Sequence, residues 1–293
     1  MPYTLIQGHF HLFYQSQRHV GSRPDGDSMW FKPDNPQQLI RLGDRQVDYN
    51  LGGCVQLRFE GIDALELHYK GANHQKASEC VAARDRLLQL AGFTSVTYAP
   101  SGDIDTSVRT ACPHPIEAHI LTRSADLYGR PIAFVFAGQA SEADGAEIWL
   151  TPERMNRSLN AQLMGEGQAY PAYYTGLPTD LRNQLTSLAH SARDNGLGLW
   201  QVDVSLPGAP VHSAADLEQL AIWPKLYRRL FAYLQANAAI SGFEAWLRED
   251  PERDDELWII SRGELGNMHD IFAVAEDEIR MIVHPDDIVI VPR

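Results

Sequence analysis

The chain has 293 residues, with 25 Lys and Arg against 38 Asp and Glu, so its formal charge is −13. That balance argues against a general nucleic-acid binder, because phosphate contacts depend on clustered cations. A composition of 44% hydrophobic and 22% charged residues is that of an ordinary globular protein and argues against disorder. The cysteines, Cys54, Cys80 and Cys112, are scattered, lack Cys-x-x-Cys spacing and are expected as buried thiols. The opening MPYTLIQGHFHL has no basic segment or apolar run of signal length, and nothing further on approaches 18 continuous apolar residues, which predicts a soluble, cytoplasmic protein without a membrane partner.

In chain order, Thr4 to Leu12 alternates as a strand does, and Asp27 to Phe31 follows the turn Arg23-Pro24-Asp25-Gly26. Cys54 to Ile62 places Val55, Leu57, Phe59 and Gly61 on one face. A helix fits Gln75 to Ala91 and ends at Gly92. Pro115 to Thr122 and Pro131 to Phe136 are the next strands. Thr151-Pro152 opens a helix running to about Glu166, and Pro178 opens another ending near Asn195-Gly196. Strands, helix, strands, then helices predict an α+β fold with a mainly antiparallel sheet.

Leu206-Pro207-Gly208-Ala209-Pro210 reads as a linker, dividing the chain into domains 1–210 and 211–293. In the second, Ser213 to Asn237 is expected as one long amphipathic helix and Ser241 as the cap of a shorter one. Strands are expected at Leu257 to Ile260, Asp270 to Val274, Arg280 to Val283 and Ile288 to Val291. Beyond Asp203 there are 16 acidic and 8 basic residues, so −8 of the charge sits there and the objection to nucleic acid falls mostly on this part. Its acidity also suggests a built-in inhibitor of a nucleic-acid groove.

Several segments carry chemistry. Asp25-Gly26-Asp27-Ser28 turns directly into a strand. Arg58 precedes Asp63 by five residues and Glu66 by eight, and Asp126-Leu127-Tyr128-Gly129-Arg130 enters the strand Pro131 to Phe136. Gly167-Gln168-Ala169-Tyr170-Pro171-Ala172-Tyr173 and Gly196-Leu197-Gly198-Leu199-Trp200 follow in order. The ordered set over residues 4–203 resembles the staphylococcal nuclease, or thermonuclease-like, family. That family has an Asp-Gly-Asp-Thr turn, an Arg-x4-Asp-x-Pro-Glu segment, an Asp-x-Tyr-Gly-Arg segment and a Gly-x-x-x-Trp ending.

The resemblance implies an OB-like five-stranded β-barrel with three helices, followed by a small α+β domain of unknown role. It also implies a Ca²⁺-dependent nuclease acting on DNA or RNA. Phosphodiester hydrolysis calls for a hard cation on the non-bridging oxygens, a carboxylate to activate water and guanidinium groups for the transition state. Asp27 and Asp63 are carboxylates suited to Ca²⁺, and the resemblance adds the Ala64 carbonyl as a ligand. It places Glu66 as the water-activating base, with Arg58 and Arg130 as the phosphate-binding arginines, a task matched to the planar guanidinium fork. Tyr128 is a substrate contact, Tyr173 would stack on a base or sugar, and Tyr174 either stacks or packs.

Departures from the family are Leu65 in place of proline before Glu66, Leu127 in place of a frequent lysine, and insertions near Lys32 to Val47 and Thr94 to Pro113. A competing register uses Asp44 as the first metal carboxylate. The alternative function is a nuclease-like barrel that binds nucleic acid or protein without cutting. Two weaker constellations are His9 with His11 as half of a zinc site, and His269-Asp270 as a dyad.

Overall fold

The computed structural model describes residues 2–13, 21–43, 45–100 and 104–292. Five strands, Tyr3–His11, Ser28–Pro33, Val55–Phe59, Ile116–Ala125 and Pro131–Ala137, form a closed mixed β-barrel. The first pairs antiparallel with the second and the second with the third. The third lies parallel to the fifth, the fifth antiparallel to the fourth, and the fourth antiparallel to the first, which closes the ring. Closure removes the exposed edges that an open sheet would present. Val55, Leu57 and Phe59 are buried as the period-two alternation predicts, and Leu5, Phe10, Met29, Phe31, Ile120, Phe134 and Val135 are buried as well, some strands being covered on both faces. Several helices accompany the barrel, so the class is α+β.

Packing divides the chain into two compact units, Met1–Glu60 with Ala83–Leu163, and Gly61–Ala82 with Met164–Arg293. This division runs elsewhere than residue 210. The segment read as a linker is itself bonded, since Ala209 and Pro210 pair with Ile279 and Glu278. In the second unit, Ile288–Ile290 lies parallel to Tyr170–Tyr174 and antiparallel to Glu256–Ile259, while Gly61–Asp63 runs antiparallel to Tyr170–Tyr174 on the other side. The barrel occupies the first unit. The inserted segments fold there as a 3-10 turn, Pro36–Leu39, with the short pair Arg41–Leu42 and Arg45–Gln46, and as a hairpin of Ser95–Tyr98 with Val108–Cys112.

Several elements depart from expectation for local reasons. The run Cys54 to Ile62 breaks at Glu60, because Gly61 has φ +84 and the chain leaves the third barrel strand there. The helix expected from Thr151 to Glu166 is two, Pro152–Met155 and Leu159–Gly165. Between them the buried Ser158 accepts a hydrogen bond from the Ala161 amide at 3.2 Å and starts the second helix. The long helix expected from Ser213 to Asn237 is a 3-10 turn, Asp216–Gln219, and a helix, Pro224–Leu234. Pro224 holds Trp223 extended (φ −48, ψ 122), and Pro224 is itself the first helical residue. Ser241 lies within a 3-10 turn, and the short helix Phe243–Arg248 begins after Gly242. Cys54 and Cys80 are buried, whereas Cys112 is exposed. Among the described residues no helix is long and apolar enough to cross a membrane.

Candidate active site

In the barrel unit the chemistry gathers at the turn between the fourth and fifth strands. Asp126 is 8% exposed, and its Oδ1 accepts hydrogen bonds from the amides of Tyr128 (2.9 Å) and Arg130 (3.0 Å). Its Oδ2 receives Nε of Arg130 at 2.8 Å and Nη2 at 2.7 Å, and Nη1 of Arg58 lies 3.9 Å away. The turn requires glycine at Gly129, where φ is +73 and a Cβ would stand 2.8 Å from the Asp48 amide nitrogen. Arg58 is on the third strand, opposite Ser28 on one side and Ile132 on the other. One buried carboxylate thus holds the Arg130 guanidinium and faces that of Arg58. The ring of Tyr128 is 76% exposed and lies 5.6 Å from the Arg130 guanidinium. Asp27 is half-buried immediately before the second strand, and its carbonyl accepts the Phe59 amide at 3.3 Å.

In the second unit, Asp63 ends the strand Gly61–Asp63 and Glu66 follows three residues later. Buried Gln75 fixes the Glu66 backbone from both sides. Its Oε1 accepts the Glu66 amide at 3.1 Å, its own amide donates to the Glu66 carbonyl at 2.8 Å, and its Nε2 donates to the Ile222 carbonyl at 2.7 Å. Leu65 and Ala64 are buried beside them.

The carboxylates of both Asp63 and Glu66 meet Arg228, from the helix Pro224–Leu234. Nη2 donates to Asp63 Oδ2 at 2.6 Å, Nη1 to Asp63 Oδ1 at 3.2 Å, and Nη1 also to Glu66 Oε1. The three side chains are 15%, 16% and 26% exposed for Asp63, Glu66 and Arg228. Burial raises the Glu66 carboxyl above its ordinary range, against the lowering effect of Arg228. Burial opposes the charge of Arg228, but the two carboxylates hold its guanidinium above its usual range overall.

The remaining predicted residues fall as follows. Tyr173 is fully buried, with its hydroxyl 3.0 Å from Thr186 Oγ1, so its ring has no face to offer a base or sugar. Tyr174 is half-buried, on the edge of the same strand, with Ile290 opposite. Asp44 lies outside the described residues. His9 bonds Asp34 at 3.1 Å, while His11 is buried against the ring of His114, so the two do not form half of a zinc site. His269 has Nδ1 2.5 Å from Asp254 and Nε2 3.2 Å from Asp270, with its amide donating to Asp254 as well. Among the described residues no group of three or more His, Cys, Asp and Glu comes together as a metal cage.

Gln75 and Arg228 are the residues that reasoning from sequence missed, and Asp126 was visible in its segment without a role of its own. Asp126 had a local signal, being four residues before Arg130, whereas Arg228 lies 165 positions from Asp63. No protein-family model matches the chain, and no curated protein is significantly similar to it.

Proposed function

We propose that the chain is a nuclease-like hydrolase of phosphodiester bonds in DNA or RNA, built on an OB-type barrel. The observation that carries this is the Asp126 turn, which presents Arg130 and Arg58 together beside an exposed tyrosine. The ring order first, second, third, fifth, fourth supports the OB identity. Asp126 takes only Nε–H and one Nη2–H of the five donors on Arg130, and a planar guanidinium can bond two phosphoryl oxygens at once. In this reaction water attacks phosphorus and one P–O ester bond breaks, while Arg58 and Arg130 stabilise charge on the phosphoryl group and solvent protonates the leaving oxygen. Taking the proton of the attacking water is the role that the resemblance gives to Glu66.

Ca²⁺ takes six to eight oxygen ligands at about 2.3–2.6 Å. The donor set here does not fit that need while Arg228 is in place. Both oxygens of Asp63 and one of Glu66 receive guanidinium N–H groups. A second reading, a barrel that binds nucleic acid without cutting, is favoured by the same contact, since Glu66 must leave Arg228 before it can take a proton.

The test is cleavage of single-stranded DNA and RNA at low salt, with and without Ca²⁺. Glu66→Gln, Arg58→Ala and Arg130→Ala are each expected to slow cleavage about 100-fold, the typical cost of losing one transition-state contact. Unchanged cleavage by Glu66→Gln overturns the assignment of the base. Wild-type protein that binds single strands without cutting, with binding weakened by Arg130→Ala, selects the second reading.

A further inference from the structure

We infer that Arg228 is a tethered counter-ion that excludes divalent cations from Asp63 and Glu66. The inference rests on the reading of these carboxylates as active-site groups, but its test does not depend on cleavage. A guanidinium stands where a hard cation would have to sit: it meets both oxygens of Asp63 and reaches Glu66 from the same nitrogen that meets Asp63. A divalent ion on those oxygens would lie within a few ångströms of a fixed positive charge, and the trio would offer it a net charge of −1 rather than −2.

The arm that carries Arg228 is anchored. Trp223 Nε1 donates to the Pro171 carbonyl at 3.3 Å, the Tyr227 hydroxyl to the His74 carbonyl at 3.3 Å, and Leu226 and Leu230 are buried. The other cations of the helix are engaged elsewhere. Lys225 lies 3.0 Å and Arg229 2.7 Å from Asp255, which leaves Arg228 as the helix's partner for the carboxylate pair. A charge held on packed backbone competes at the high effective concentration of any tethered group, whereas a free cation competes at its bulk concentration.

Arg228 is basic and comes from the acidic part of the chain. The acidity of residues 211–293 suggested a built-in inhibitor of a nucleic-acid groove. What this region places at Asp63 and Glu66 is a cation that satisfies two carboxylates.

The experiment is calorimetric titration of the full-length protein with CaCl₂, together with thermal midpoints measured with and without 5 mM CaCl₂. The proteins are wild type, Arg228→Met, Arg228→Lys and the double variant Arg228→Met with Asp63→Asn. Wild type and Arg228→Lys are expected to show no saturable binding in the millimolar range. Arg228→Met is expected to bind one Ca²⁺ at least ten-fold more tightly than wild type, and the double variant to lose that gain. Should Arg228→Met be largely unfolded alone, Ca²⁺ is expected to raise its midpoint, because a ligand that binds the folded state stabilises it. The inference is overturned if wild type binds Ca²⁺ as tightly as Arg228→Met does. It is equally overturned if Ca²⁺ changes neither the affinity signal nor the midpoint of Arg228→Met, or if Asp63→Asn leaves the gain intact.

Discussion

Asn160→Ala is expected to destabilise the barrel unit by roughly 2–6 kcal/mol, although the residue touches none of the candidate site. Asn160 is fully buried, its Oδ1 accepts the Val135 amide at 2.9 Å, and its Nδ2 donates to the carbonyls of Glu60 (2.9 Å) and Ala133 (3.0 Å). The third barrel strand turns away after Phe59, and this side chain carries hydrogen bonding onward along the fifth strand. The Ala133 carbonyl keeps the Glu60 amide at 2.9 Å, so the loss falls on the Val135 amide and the Glu60 carbonyl. Two buried backbone groups deprived of a partner cost about 1–3 kcal/mol each, which sets the range. Differential scanning calorimetry and urea unfolding should register it as a midpoint lower by about 2–4 °C per kcal/mol. Asn160→Asp keeps the acceptor but turns the former donor into a second acceptor facing two carbonyls. It should be less destabilised, relative to wild type, at pH 4 than at pH 7, where the carboxyl is ionised. A loss below about 1 kcal/mol for Asn160→Ala, or an Asn160→Asp penalty equal at both pH values, refutes the reasoning.

Burial lifts the Glu60 carboxyl to about 7, with Arg123 opposing, and lowers His11 to about 4. Glu60 stabilises the folded state fully below its unfolded value near 4.5 and loses that contribution as pH rises to about 7. His11 contributes above its unfolded value near 6.5 and loses its contribution as pH falls to about 4, so the two trends oppose each other. Relative to wild type, Glu60→Gln should therefore gain stability as pH rises from 4.5 to 6.5, by up to roughly 3 kcal/mol at about 1.4 kcal/mol per pKa unit, and His11→Asn should lose it, both read from urea midpoints; matching slopes of the two differences would refute the assignment. A fragment of residues 1–210 should be insoluble or unfolded in the part that retains Tyr170–Tyr174, because it lacks Ile288–Ile290 and Trp223. A soluble fragment with a wild-type thermal midpoint would contradict this.

The barrel strands were legible because alternation with period two survives wherever one face is buried, as at Val55, Leu57 and Phe59. The end of the helix Ala77–Leu90 was legible because Gly92 takes φ +103, which few other residues accept. The helix breaks at Ser158 and Pro224 had local signals that an unbroken apolar spacing overrode. Glu66 and Asp63 were visible as residues, but their partner was not, since nothing local couples Arg228 to a strand 165 positions away. Tyr173 shows the opposite failure: an aromatic in the expected segment belongs to the core, because its hydroxyl finds Thr186 inside the unit.

Neither compact unit is a single stretch of chain, and that has a consequence on the ribosome. Gly61–Ala82 emerges long before the rest of its unit, Met164–Arg293. Translation proceeds at about 5–20 residues per second, so Asp63 leaves the ribosome roughly 5–20 s before its strand partner Tyr170 and about 8–33 s before Arg228. The barrel unit, complete once Leu163 is out, can fold during that interval around a looped segment whose two carboxylates have not yet met their arginine. Synthesis thus passes through a state in which Asp63 and Glu66 are charged, solvated and open to any cation in the surrounding solution, and the C-terminal part of the chain closes it.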